Sequence, residues 1–128
     1  MTLDTAFWQS MNQLLITNAV APDRPKGTSH PRHPELVYPL DYGYLENTAS
    51  SDGGGIDVWL GTLSTVRGKD NAKTLTGILC TFDTLKRDAE IKLLIGCSEE
   101  DIQVIRDFHK EMYTLYIPNP AVENDVSN

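Results

Sequence analysis

The chain has 128 residues, 40% of them hydrophobic and 23% charged, with a formal net charge of −7 at pH 7. This length and composition predict one globular domain, and the acidic balance disfavours non-specific nucleic-acid binding, which depends on clustered Lys and Arg. No apolar run approaches the about 20 residues that cross a bilayer, and the N-terminus lacks a signal-peptide pattern. Cys80 and Cys97 form no disulfide framework. We therefore expect a cytoplasmic protein without a membrane or nucleic-acid partner.

The first predicted element is an N-terminal packing helix within residues 1–20. Asp4 or Thr5 can cap a helix that runs from Thr5 to about Val20. Its apolar residues recur at helical spacing and form one face: Phe7, Trp8, Met11, Leu14 and Leu15. Such a face indicates a helix that covers one side of a sheet. A partner-binding role is the alternative.

Residues 21–34 contain four prolines together with Arg24, Lys26 and Arg32. Because proline fixes φ and has no N–H to donate, this composition predicts an extended, turn-rich segment without a regular element. Taken alone, it is typical of a solvated basic loop. His30 and His33 stand three apart, but no helix aligns them, which disfavours a zinc site.

The next stretch, residues 38–60, combines three tyrosines, a glycine-rich loop and a short apolar strand. Tyr42 and Tyr44 alternate along a predicted strand, residues 47–55 form a polar loop, and residues 56–60 form a buried strand. Asp52 and Asp57 would face opposite sides of one straight strand. The glycines between them allow a turn, so the two carboxylates can converge. A hairpin turn with solvated acids is the alternative.

A second pair of aspartates, Asp83 and Asp88, has the same five-residue spacing and lies between the predicted strands 74–82 and 89–95. Each pair of carboxylates brought to roughly 4 Å costs about 4 kcal/mol at an effective dielectric near 20. Four such groups therefore indicate bound divalent cations, and oxygen ligands favour Mg²⁺, Mn²⁺ or Ca²⁺ over Zn²⁺. Strand periodicity also places Asp88, Glu90 and Lys92 on one face.

The two motifs, taken in order, resemble the signature of the soluble family I inorganic pyrophosphatases. That signature reads Tyr-Pro-x-(Asn/Asp)-Tyr-Gly-Tyr, followed by Asp-Gly-Asp-Pro-(Leu/Ile)-Asp. Residues 38–44 fit the first part in full. The second part is fitted in register by Asp52, Gly53, Ile56, Asp57 and Val58. The resemblance covers roughly Asp23 to Lys110 and departs from the family at Gly54, where the family has an aspartate that acts as the base.

The resemblance implies a role for each matching residue. It implies a metal site formed by Asp52, Asp57, Asp88, Asp83 and Asp23. It implies phosphate contacts from Lys26, Arg32, Tyr42, Lys92 and Lys110. Two further departures concern the phosphate side. A family hairpin with another phosphate-binding arginine is missing before Tyr38, and Glu90 stands where the family has a lysine, with Lys92 two residues later. Glu90 is a candidate substitute base because it lies on the face of Asp88, and Asp57 is the second candidate catalytic residue.

The C-terminal part begins with Ser98–Asp101, a capping-box pattern that opens a helix. Ile102, Ile105, Phe108 and Met112 follow at helical spacing. On this periodicity His109 and Lys110 are exposed. Residues 118–128 lack periodicity and are predicted to form a loosely held tail.

Together these features predict a β-rich α+β fold, with residues 21–117 forming a small closed OB-like barrel of about five strands and a helix near each end of the chain. The resemblance implies hydrolysis of inorganic pyrophosphate with Mg²⁺ or Mn²⁺ as cofactor. The reaction should be slow without the aspartate at Gly54, since a general base contributes about 10²–10⁴-fold. The alternatives are hydrolysis of an organic diphosphate and a non-catalytic protein that binds phosphate or metal. The oligomeric state is open, and a homo-oligomer is one alternative.

Overall fold

The computed structural model describes residues 4–51, 53–64 and 74–122. Asp52, most of the predicted connection 64–73 and the end of the predicted tail lie outside these residues. The elements, in chain order, are α1 (Thr5–Thr17), β1 (Val20–Arg24), β2 (Asp41–Leu45), β3 (Asp57–Leu60), β4 (Leu75–Asp83), β5 (Asp88–Ile95), α2 (Glu99–Phe108) and β6 (Tyr113–Pro118). Among the described helices, none is long and apolar enough to cross a membrane.

The six strands form one sheet in the order β1-β2-β3-β5-β4-β6. Neighbouring strands are antiparallel except β3 and β5, which are parallel, with Trp59 opposite Leu94. Within the described ranges no ladder joins β1 to β6, so the sheet is open, and the predicted closed barrel of about five strands is wrong. Closure depends on pairing between distant strands, which local patterns do not encode.

Helices α1 and α2 cover opposite faces of this sheet. Side chains alternate along β3, so Val58 and Leu60 pack in one cluster with α1, whereas Trp59 packs in the other with α2. We call these sides the α1 face and the α2 face. Leu15 of α1 and Ile105 of α2 are 0% and 1% exposed, and burial of such a side chain contributes about 1.5–3 kcal/mol. Helix α1 therefore contributes buried side chains to the core on its side of the sheet.

The N-terminal region differs from the prediction after the cap. Asp4 caps α1, and its Oδ1 accepts the N–H of Phe7 at 2.9 Å. The helix ends at Thr17 rather than near Val20. Val20 begins β1, and residues 21–24 of this strand lie in the segment predicted to lack a regular element. Pro22 is tolerated because β1 is an outer strand, and the register shifts between Pro22 and Arg24.

The C-terminal region contains a strand that the helical periodicity concealed. The capping box is present, but α2 ends at Phe108, so Met112 lies beyond it. The chain then returns as β6, which pairs antiparallel with β4 and ends at Pro118. His109, at the end of α2, is 7% exposed, which corrects the predicted exposure of this residue. Its ring packs edge-on against Trp59, with ring centroids 5.7 Å apart.

Asp101 ties α2 to the loop that follows β3. Its Oδ2 accepts the N–H of Ser98 at 2.8 Å, and the N–H and hydroxyl of Thr62 at 2.9 Å each. Burial would raise the pKa of Asp101, but these hydrogen bonds outweigh it and lower the pKa. The carboxylate is therefore a charged structural link between the two segments.

Candidate functional site

Three adjacent strands bring polar side chains together on the α2 face. Tyr42 lies opposite Trp59 in the pairing of β2 with β3, and Tyr44 lies opposite Asp57. The parallel pairing of β3 with β5 then places Lys92 beside Asp57. Side chains two residues apart share a face, so Glu90 lies on this side as well.

Lys92 is the centre of the cluster. It is 4% exposed, and its Nζ donates to the hydroxyl of Tyr42 at 2.8 Å and to Oδ2 of Asp57 at 3.2 Å. Oε2 of Glu90 lies 3.7 Å from the same nitrogen. A buried ammonium group is tolerated only when it is paired and hydrogen-bonded. These three partners meet that requirement.

The carboxylates around Lys92 carry more negative charge than one ammonium group offsets. The side chains of Asp57 and Glu90 are 27% and 29% exposed. Burial raises the pKa of Glu90, Lys92 acts in the opposite direction, and the charges of Asp57 and Asp88 and a hydrogen bond to Asp57 raise it further. Glu90 therefore accepts a proton more readily than an ordinary glutamate, which suits a general base.

Tyr42 closes the cluster on the β2 side. Burial, followed by the charge of Asp57 and a hydrogen bond to it, raises the pKa of the Tyr42 hydroxyl well above its usual value. The hydroxyl therefore keeps its proton and accepts a hydrogen bond from Lys92. Its one proton can be donated to Asp57 or, in its place, to an anionic ligand.

Basic side chains near Tyr38 lie next to the cluster, and we call this region the cationic side. The ring of Tyr38 lies 5.5 Å from that of Tyr42 and stacks on His30 at 6.2 Å. Burial lowers the pKa of His30, and four neighbouring positive groups lower it further: His33, Lys86, Arg24 and Arg32. Arg24 also hydrogen-bonds Tyr38, although burial raises the pKa of that tyrosine overall. The acidic protein thus has a local concentration of positive charge beside the carboxylates.

The remaining predicted site residues lie at the margins or elsewhere. Asp83 and Asp88 are cross-strand partners at the β4–β5 turn, and Oδ1 of Asp83 accepts the N–H groups of Leu85 and Lys86 at 3.1 Å each. Asp88 is exposed, and so are four further predicted residues: Asp23, Lys26, Arg32 and Lys110. Asp23 acts electrostatically on Tyr38, which places it on the cationic side.

Lys26 lines a separate cleft. Its N–H donates to Oδ1 of the buried Asp41 at 2.8 Å. A cleft of about 280 Å³ lies here, at the Leu60 end of β3, with Thr62 also in its lining. Asp57 begins the same strand at its opposite end. The structure therefore separates Lys26 from the Lys92 cluster.

The described residues do not fit a divalent ion in this conformation. Carboxylate oxygens suit Mg²⁺ or Mn²⁺, but the Lys92 ammonium holds Oδ2 of Asp57 and faces Oε2 of Glu90. Across residues 4–51, 53–64 and 74–122 no three His, Cys, Asp or Glu side chains are grouped as metal ligands. Asp52, the remaining predicted ligand, lies outside these ranges.

Sequence reasoning missed the parts of the site that depend on tertiary packing. His30, Arg24 and Lys86 were not assigned to the phosphate side, and only the proximity of the proline-rich segment to the β4–β5 turn unites them. Nε1 of Trp59 and Nε2 of His109 are buried without a hydrogen-bond partner in the described structure. No local pattern identifies these two atoms.

No family model and no curated protein matches the sequence. Solved structures with a similar fold include an inorganic pyrophosphatase from Helicobacter pylori, with 18% identity, coverage of 78% of this chain and 80% of the other, and a TM-score of 0.49. Another is an inorganic pyrophosphatase from Coxiella burnetii, with 16% identity, coverage of 77% and 81%, and a TM-score of 0.45. A third is an inorganic phosphatase from Anaplasma phagocytophilum, with 14% identity, coverage of 84% of each chain, and a TM-score of 0.44.

Proposed function

We propose that this protein hydrolyses inorganic pyrophosphate, slowly, at the cluster around Lys92. The observation that carries the proposal is the buried Lys92 ammonium, held between the hydroxyl of Tyr42 and the carboxylates of Asp57 and Glu90. The sequence supports it independently, because Tyr42 and Asp57 belong to the stretch that resembles the family I pyrophosphatase signature. The substrate in this proposal is a small phosphate anion.

Hydrolysis of a phosphoanhydride needs positive charge on the phosphate oxygens and a group that activates water. Lys92 supplies one cation with a flexible stem, and Arg24 and Arg32 supply others nearby. The protonated hydroxyl of Tyr42 is a further donor. These groups would hold the anion beside the carboxylates and orient it.

Glu90 is the proposed base. It is partly open to solvent, and its raised pKa brings it closer to neutral pH, where a base works best. It would take a proton from the attacking water and pass it to solvent as phosphate leaves. Gly54 offers no carboxylate at the position of the family's base, so Glu90 alone must take the proton from water. A poorly placed Glu90 would lower the rate of hydrolysis by up to about 10²–10⁴-fold.

A non-catalytic role in phosphate binding is the second candidate. A specific observation favours it: Lys92 already neutralises part of the carboxylate charge that a catalytic metal would use. The cationic side and Tyr42 would still bind an anion. Hydrolysis of an organic diphosphate stays a third candidate, and substrate comparison tests it.

Phosphate release from pyrophosphate separates these functions. The assay compares wild type with Asp57→Asn and Glu90→Gln, in Mg²⁺, in Mn²⁺ and in a chelator. Two exposed acids on or after α2 provide matched controls, Asp107→Asn and Glu111→Gln. We expect metal-dependent release by wild type and both controls, and loss of at least about 100-fold in the two site variants.

Equal release by wild type and Asp57→Asn would reject the site. If pyrophosphate is not cleaved but a nucleoside diphosphate is, the organic-diphosphate function replaces the proposal. If nothing is cleaved and pyrophosphate still raises the melting temperature, the binding function replaces it.

A further inference from the structure

We infer that Lys92 is a built-in counter-ion that occupies the position of a divalent cation, so that metal and ammonium compete for the carboxylates of Asp57 and Glu90. The inference concerns metal occupancy of the site and rests on the proposed function only for the identity of the anion. It follows from the failure of the described residues to fit a metal ion.

The ammonium group and a divalent ion would use the same two carboxylate oxygens. Nζ of Lys92 lies 3.2 Å from Oδ2 of Asp57 and 3.7 Å from Oε2 of Glu90. A divalent ion bound by those oxygens would sit about 2.0–2.6 Å from each of them, close to the ammonium. Two positive charges would then share the same two oxygens in a partly buried place. Metal binding therefore requires the ammonium to withdraw.

The Lys92 side chain is flexible enough to move away from the carboxylates, and a bound anion would attract it. Its charge lies at the end of four methylene groups, and its third partner, the hydroxyl of Tyr42, is neutral. A phosphate anion bound on the cationic side would attract the ammonium away from the carboxylates. An anion and a metal ion should thus bind with positive coupling, and linkage makes the coupling reciprocal. Without an anion, wild type should bind metal weakly.

Binding of Mn²⁺ alone tests the competition. Free Mn²⁺ is measured by electron paramagnetic resonance in titrations of wild type, Lys92→Met and Lys110→Met, without phosphate or pyrophosphate. Lys110→Met removes the same charge from an exposed position and controls for the change in net charge. We expect Lys92→Met to bind Mn²⁺ about tenfold more tightly than wild type, equivalent to about 1.4 kcal/mol. Lys110→Met should stay close to wild type.

A folded Lys92→Met variant that binds Mn²⁺ no more tightly than wild type overturns the inference, and so does a similar gain in Lys110→Met. Because removal of one buried partner can unfold a protein, a second measurement uses wild type. The side chain of Lys92 is followed by NMR in protein with ¹³C-labelled lysine during Mg²⁺ titration. A shift of its terminal CH₂ resonance with saturation supports competition, and an unchanged resonance at saturation overturns it.

These outcomes are distinct from those of the hydrolysis assay. Tighter Mn²⁺ binding by Lys92→Met, with no phosphate release by wild type, keeps the competition and rejects hydrolysis. Phosphate release by wild type, with unchanged Mn²⁺ affinity in Lys92→Met, keeps hydrolysis and rejects the competition.

Discussion

Acidification from pH 7.5 to pH 5.0 should weaken the fold through His109. Burial, together with the nearby charge of Lys92, lowers the pKa of His109 to about 3, against about 6.5 in an unfolded chain. At pH 5.0 the unfolded chain therefore binds a proton at this residue and the folded protein does not. The contribution of His109 to stability is complete above pH 6.5 and is lost progressively as the pH falls towards 3.

The size of this effect at pH 5.0 is set mainly by the unfolded state. An unfolded histidine 1.5 pH units below its pKa is almost fully protonated, and the corresponding loss in the free energy of unfolding is about 2 kcal/mol. Urea unfolding of wild type and His109→Phe at the two pH values measures it. Phenylalanine keeps a ring against Trp59 and Phe108 and removes the unpaired Nε2.

The variant should lose about 2 kcal/mol less than wild type on acidification. His33 is exposed, and His33→Phe should keep the pH dependence of wild type. An identical loss in wild type and His109→Phe would show that His109 is accessible to protons in the folded protein, contrary to the packing described here.

Two further predictions concern single residues. Gly54→Asp should raise kcat for pyrophosphate by up to about 10²–10⁴-fold at saturating Mg²⁺. The left-handed backbone lies at Gly53, with φ 89°, so a side chain at position 54 avoids that strain. A folded variant no faster than wild type would contradict the role of the missing aspartate. Asp101→Asn should lower the free energy of unfolding by about 1–3 kcal/mol in urea, because one side-chain oxygen accepts from both Ser98 and Thr62; an unchanged midpoint would show that these bonds are replaced by water.

The sequence allowed the central strands and α2 to be located because their patterns are local and mutually consistent. The run from Asp57 to Leu60 is apolar after its first residue, and Ser98 with Asp101 makes a complete capping box. Proline content concealed β1, since local propensity cannot tell an outer strand from a loop. Met112 extended the helical spacing past Phe108 and concealed β6.

The sequence predicted candidate site residues, but it did not predict how the structure arranges them. Strand periodicity placed Glu90 and Lys92 on one face, and the structure agrees. That Lys92 would insert beside Asp57 depends on the parallel pairing of β3 with β5, which joins segments 35 residues apart. The burial of His109 depends on α2 ending one residue earlier, where the chain turns towards β6.

The strand order also determines where this protein is vulnerable to aggregation. An outer strand presents unpaired N–H and C=O groups to any extended chain. On β1, Pro22 has no N–H and the register slips before Arg24, which interrupts a continuous ladder. β6 carries no proline before Pro118, and the aromatic pair Phe82 and Tyr113 beside it is 38% and 65% exposed. Among the described strands, β6 is therefore the edge at which we expect an unfolded chain to pair most readily.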